Sequence, residues 1–169
     1  GLGDCIRDRA RAMNKIKALC EDPKGGCVFW SAGAKPPELL MSGEVVMATG
    51  WNGRFFNAIM DGAPLTQVWD GQGLDYQYMV VVDGAPNQAD AMKAIKEMMS
   101  TEGLAGSAKH IAYAPFRKSS LAVIAAGEPW YKDGKTNMLP QMPTAKANTK
   151  KYFLVDAVYW ADNLSLIHI

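Results

Sequence analysis

The sequence predicts an α/β fold with largely parallel strand pairing. Two observations carry this. Segments of strand length, rich in Val, Tyr and Met, alternate along the chain with amphipathic or capped segments of helical length. The composition is that of a globular chain, with 169 residues, 49% of them hydrophobic and 21% charged. Those values exclude a disordered or acidic-tail class. Lys and Arg number 18 against 17 Asp and Glu, and a net charge of +1 makes no electrostatic case for nucleic acid. The longest apolar runs, Met79–Val82 and Leu121–Ala126, fall far short of the about 20 residues a membrane helix needs.

The elements follow in order. Residues 4–20 read as an amphipathic helix, because Ile6, Ala10, Met13, Ile16 and Leu19 recur at helical spacing between Arg and Lys. The Asp22–Gly26 turn ends it, and Cys27–Trp30 is a short apolar strand. Ser31–Pro37 is a loop, and Pro37 can sit in the first turn of a short helix through Met41, where its missing N–H is not needed. Ser42-Gly43 closes that helix. Glu44–Gly50 is expected as a buried strand that delivers Trp51-Asn52-Gly53-Arg54 at its carboxyl end. Phe55–Met60 is a helix stopped by Asp61-Gly62.

Leu65–Trp69 and Asp75–Val82 are expected strands, the second rich in Tyr and Val. Asn87 caps a helix whose apolar face is Ala91, Met92, Ile95, Met98 and Met99. Gly103 and Gly106 interrupt a second short helix. Tyr113–Arg117 is extended, Ser119–Ala126 is a helix stopped by Gly127, and Glu128–Thr149 is mostly loop. Tyr152–Asn163 is expected as a last helix with Phe153, Ala157 and Trp160 on one face. The chain begins Gly-Leu-Gly without Met and ends Leu164–Ile169, edges that read as those of a gene fragment with a non-native tail at 164–169.

Of three cysteines, Cys20 and Cys27 flank a turn-forming stretch. A disulfide suited to an oxidising compartment and three free thiols both fit. No Cys-x-x-Cys pair or Cys/His cluster is present, so neither a metal nor another cofactor is expected. No Gly-x-Ser-x-Gly, His-Glu-x-x-His or phosphate loop occurs. With His168 in the suspect tail, only His110 remains for a nucleophilic triad, and a half-exposed helix-end role suits it better. An enzyme is therefore not expected.

In parallel α/β folds ligands sit outside the carboxyl ends of strands, which singles out four places. Trp51 offers a flat apolar wall. Gly53 permits a tight strand-to-helix turn, and Arg54 falls in the first helical turn. Helix N-termini favour anions, so an Arg there makes sense if it shares an anionic guest such as a carboxylate. The plainer reading is a core Trp and a surface Arg. On the 75–82 segment Asp75 and Gln77 share one face, Tyr76 and Tyr78 the other. The first pair suits an ammonium and a hydrogen-bonding group; the tyrosines suit stacking; a solvated edge is the alternative. Tyr113 presents its hydroxyl either to a cleft or to a packed core.

At these residues the chain resembles the periplasmic spermidine/putrescine-binding protein family, among the extracellular solute-binding proteins of ABC importers. The matching segments are Ser31-Ala-Gly-Ala with Pro37-Glu-Leu-Leu, Ser42-Gly-Glu-Val-Val-Met, and Trp51-Asn-Gly-Arg. Leu74-Asp-Tyr-Gln-Tyr with Gly84-Ala-Pro-Asn, Tyr113-Ala-Pro and the region of Tyr159-Trp160 continue the match.

The resemblance implies a type II periplasmic-binding-protein fold, here partial, that closes two lobes over a ligand and docks on an inner-membrane permease. It implies a periplasmic monomer without nucleic-acid partners. Residues 1–82 would be part of the second lobe and 83–163 the return into the first. The family's cleft Trp falls on Trp51, a polar loop contact on Ser31 and a cleft Tyr on Tyr113. Two departures stand out. The family's amine-binding acid falls on Gln77 and a cleft aromatic on Asp75, while Arg54 would repel a dicationic polyamine. The resemblance therefore implies a polyamine, and Arg54 with Gln77 points to a carboxylate-bearing amine such as 4-aminobutyrate. A two-lobed regulator or receptor domain is a further alternative.

Overall fold

The structure, a computed structural model, describes residues 2–126 and 131–162. Gly127 and the tail at 164–169 lie outside them. The chain divides into two compact units, residues 1–49 and 50–169.

The first unit opens with α1 (Leu2–Cys20). Its Met13, Ile16 and Leu19 are exposed, so this stripe is not covered. A disulfide joins Cys20 to Cys27, which resolves the two cysteine readings in favour of the bridge. The bridge pins the end of α1 to the turn that follows, in which the Lys24 N–H donates to the Asp22 carboxylate at 2.8 Å. The loop it closes has a sequence separation of 7, for which chain entropy gives about 2.5 kcal/mol. Replacing both cysteines by Ser is expected to speed amide exchange in the last turn of α1 roughly tenfold or more; unchanged exchange there would count against the bridge as a local clamp.

Helix α2 (Lys35–Met41) carries two prolines in its first turn and buries Pro36, Pro37 and Leu39. Ser42 caps its end, and Gly43 follows at φ +75°.

The second unit begins with α3 (Asn52–Met60). Gly53, Phe56 and Met60 recur at helical spacing. The first two are buried and Met60 packs against the same cluster, which leaves Arg54 outward. Asp61 and Gly62, at φ +96°, stop the helix as expected. Then come β1 (Gln72–Leu74), α4 (Gln88–Met98), α5 (Thr101–Ser107), α6 (Lys118–Ala125), a 3-10 turn at Leu139–Gln141, β2 (Tyr152–Leu154) and α7 (Ala157–Asp162).

The core gathers Phe56 from α3, Ala105 from α5, Ile124 from α6, and Ala108, Ala112, Tyr131, Met138, Met142 and Ala145 from the connections. Phe56 meets Tyr131 edge-on at 5.1 Å. The segment 131–149 is loop, yet it is tied down. The Asn148 side-chain amide donates to the carbonyls of Pro140 and Met142, each at 2.9 Å. Gln72 donates to the Pro143 and Asn148 carbonyls. At its start Asp133 accepts from Thr136, and these hydrogen bonds hold its carboxyl below the ordinary value.

Strands β1 and β2 pair in parallel, Gln72 against Tyr152 and Leu74 against Leu154. The connection between them carries α4, α5 and α6. Parallel pairing with helical crossovers is the predicted α/β class. Gly73 leaves room for the Phe153 ring, whose nearest atom would lie 2.8 Å from an added Cβ.

Several expected elements differ. Cys27–Trp30, Glu44–Gly50, Leu65–Trp69 and Asp75–Val82 are not strands. Val46 is 98% exposed, so the 44–50 segment is not buried either. Their composition favours the extended state, but a strand's hydrogen bonds lie on a neighbour, and no neighbour pairs with them among the described residues. Tyr152–Leu154 is strand rather than the first turn of a helix, because Leu74 and Lys151 supply carbonyls that complete a ladder with β1. On the predicted Met face of α4, Met92 and Met98 are exposed.

Candidate functional site

The Trp51–Arg54 turn is built by the start of α3. Trp51 is its N-cap, with extended backbone, and no side chain caps the helix. No acidic residue occupies its first turn. Trp51 is 54% exposed, which leaves much of its indole open as a flat surface. Arg54 is exposed and forms no ion pair among the described residues.

Tertiary packing brings Tyr113 to this turn. An added Cβ on Gly53 would lie 2.7 Å from Tyr113 Cε1 and 2.9 Å from Ile111 Cγ1, so the tyrosine ring rests on the glycine. Tyr113 is 41% exposed. The residues between are stitched by hydrogen bonds. Asn52 Nδ2 donates to the Ala112 carbonyl at 2.6 Å, and Gln67 Nε2 donates to the Asn52 carbonyl at 3.0 Å. Three stretches, 51–54, 67 and 111–113, thus form one wall.

Gly53→Ala tests that packing. The methyl gains about 1 kcal/mol of helix propensity but must displace Tyr113 or Ile111, and overpacking costs about 1–3 kcal/mol. The net expectation is a destabilised protein with Tyr113 moved, read as a lower denaturation midpoint that Ile111→Ala partly restores. A more stable Gly53→Ala protein would refute the contact.

The other expected residues lie elsewhere. Asp75 and Gln77 do share a face, with Gln77 Nε2 donating to Asp75 Oδ2 at 3.4 Å, and both are exposed. No described contact joins them to Trp51, Arg54 or Tyr113. Tyr76 and Tyr78 are exposed. Ser31 is exposed in the turn ahead of α2, within the first unit. A cavity of about 300 Å³ lies between α4 and α5, lined mostly by Met79, Met98, Met99 and Leu104, and it includes none of the expected residues. Among the described residues no three His, Cys, Asp or Glu side chains converge on a metal-sized site. No described helix is long and apolar enough to cross a membrane.

Asn52, Gln67 and Ile111 complete the wall beyond the residues the sequence singles out. Asn52 lies inside Trp51-Asn-Gly-Arg. Gln67 had a sequence signal: Leu65, Gln67 and Trp69 alternate with Thr66, Val68 and Asp70, which places an amide among the apolar residues of one face.

Comparison with solved structures defines the class. The fold matches an ABC transporter substrate-binding protein from Bradyrhizobium japonicum USDA 110, with a TM-score of 0.69 and 25% identity over 90% of this chain and 45% of that one. It also matches the PBP MotA from A. tumefaciens B6, crystallised with glucopine, with a TM-score of 0.68 and 26% identity over 89% of this chain and 44% of the other. The fold is thus that of the periplasmic binding proteins, in part. Residues 7–144 match the bacterial extracellular solute-binding protein family, and the chain belongs to it. A relative, the gamma-aminobutyric acid-binding protein of Pseudomonas aeruginosa, is 35% identical over 154 residues. That match takes in 91% of this chain and 40% of the relative, so the chain spans less than half the relative's length.

Proposed function

We propose that this chain is part of the substrate-binding component of an ABC importer. In this reading the protein captures a small amine in the periplasm by lobe closure and delivers it to an inner-membrane permease. It is a binding protein, as its relatives are, and not an enzyme. The Cys20–Cys27 disulfide suits the oxidising periplasm.

The ligand we infer carries a carboxylate as well as an amine, as 4-aminobutyrate does, in place of the polyamine that the first family resemblance implied. One observation carries this: Arg54 stands exposed in the first turn of α3, a turn with no acidic residue. Its guanidinium and the helix dipole both attract a carboxylate and repel a second ammonium. The relative named for gamma-aminobutyric acid supports the same reading. Trp51 and Tyr113 would cover the methylene chain. Asp75, with Gln77 beside it, would meet the amine.

The test is a tryptophan-fluorescence titration of the full-length gene product with 4-aminobutyrate, putrescine and spermidine. A saturable response to 4-aminobutyrate and none to the two polyamines is expected. A response to the polyamines alone would overturn the carboxylate assignment and restore polyamine uptake.

A further inference from the structure

The extended segment at 65–69 turns Leu65, Gln67 and Trp69 inward, while Val68 is 81% exposed. An amide on the inward side and a valine on the outward side invert the usual pattern, so Gln67 calls for an explanation. Its Nε2 donates to the carbonyl of Asn52, the first residue of α3. Its Oε1 is buried and has no hydrogen-bond partner among the described residues. An apolar side chain of similar length would avoid that orphaned oxygen. What it would not supply is the N–H to Asn52. Asn52 is thereby held at both ends, by Gln67 on its carbonyl and through its own side chain on Ala112. It lies between Trp51 on one side and Gly53 and Arg54 on the other.

We infer that Gln67 is a positioning residue for the ligand site: its amide locks Asn52, and so sets the direction in which Trp51 and Arg54 face. The inference rests on the reading of Trp51 and Arg54 as ligand contacts, and deepens it. Gln67 acts on the site through Asn52, whose carbonyl holds its amide nitrogen. Its effect passes through the turn, as a fixed orientation of an otherwise exposed guanidinium.

The test uses the full-length gene product with Gln67→Met, which keeps the length but removes the donor, and Gln67→Glu, which keeps the polarity but removes the N–H. Both are expected to weaken 4-aminobutyrate binding at least tenfold. In an Arg54→Lys background, Gln67→Met is expected to change affinity less than threefold, because the geometry it served is already lost. Equal effects in the two backgrounds would mean a general structural role and would overturn the inference. A second readout needs no ligand. The indole N–H resonance of Trp51, assigned with Trp51→Phe, should move in both Gln67 variants while resonances from the 138–142 core stay in place. An unmoved Trp51 resonance overturns the inference even if no ligand is found. A moved resonance in a protein that ignores 4-aminobutyrate keeps the positioning role and sinks only the ligand reading.

Discussion

Phe56→Ala is expected to lower the unfolding free energy by about 3–5 kcal/mol, the usual cost of emptying a fully buried aromatic site. Phe56 is 1% exposed and joins α3 to a core drawn from α5, α6 and the 131–145 loop. The edge-on contact with Tyr131 is lost with it. Spread over a protein of this size, the loss is a fall of about 6–20 °C in melting temperature. Phe56→Leu should cost much less, about 1–1.5 kcal/mol. Chemical denaturation checks both, and a Phe56→Ala cost under about 1 kcal/mol would show that α3 is not anchored through this ring. Ligand affinity should fall too, since the same helix carries Gly53 and Arg54 on its first turn.

Arg54→Ala is expected to weaken 4-aminobutyrate binding by about 10- to 150-fold, the equivalent of about 1.5–3 kcal/mol for a charge-assisted hydrogen bond. Stability should barely change, because Arg54 is exposed and has no ion pair among the described residues. Putrescine binding should be unchanged or stronger, since a repelling charge is gone. Calorimetric titration of the two ligands separates the outcomes. If 4-aminobutyrate affinity survives the substitution, the carboxylate lies elsewhere and the Trp51–Arg54 turn is not its site.

The two substitutions probe opposite faces of one short helix. Gly53, Phe56 and Met60 face the core, and Arg54 faces outward. A loss of binding with intact stability belongs to the outward face. A loss of both belongs to the core.

Much of the helical structure was legible in the sequence, because helix signals are local. Pro37 falls in the first turn of α2 and Asp61-Gly62 ends α3, whereas Gly103 and Gly106, expected to interrupt a helix, lie within α5. The helix that carries Arg54, with no acid in its first turn, could likewise be read from four consecutive residues. So could the opposition between Arg54 and a polyamine, which is a matter of charge alone.

Strands were another matter. Val46, Val68 and Val80 lie in stretches with strand composition, yet those stretches pair with no strand among the described residues, while three residues at 152–154 that read as helix form the ladder with β1. A strand's hydrogen bonds go to a partner distant in sequence, and composition does not say whether one arrives. The same reason divides the site. The sequence by itself determined most of the helices and the α/β class. Only the tertiary structure decided that Cys20 and Cys27 are bonded, that the Tyr113 ring rests on Gly53, and that Gln67 reaches the Asn52 carbonyl. Those are contacts across loops, and their geometry depends on how the intervening chain packs.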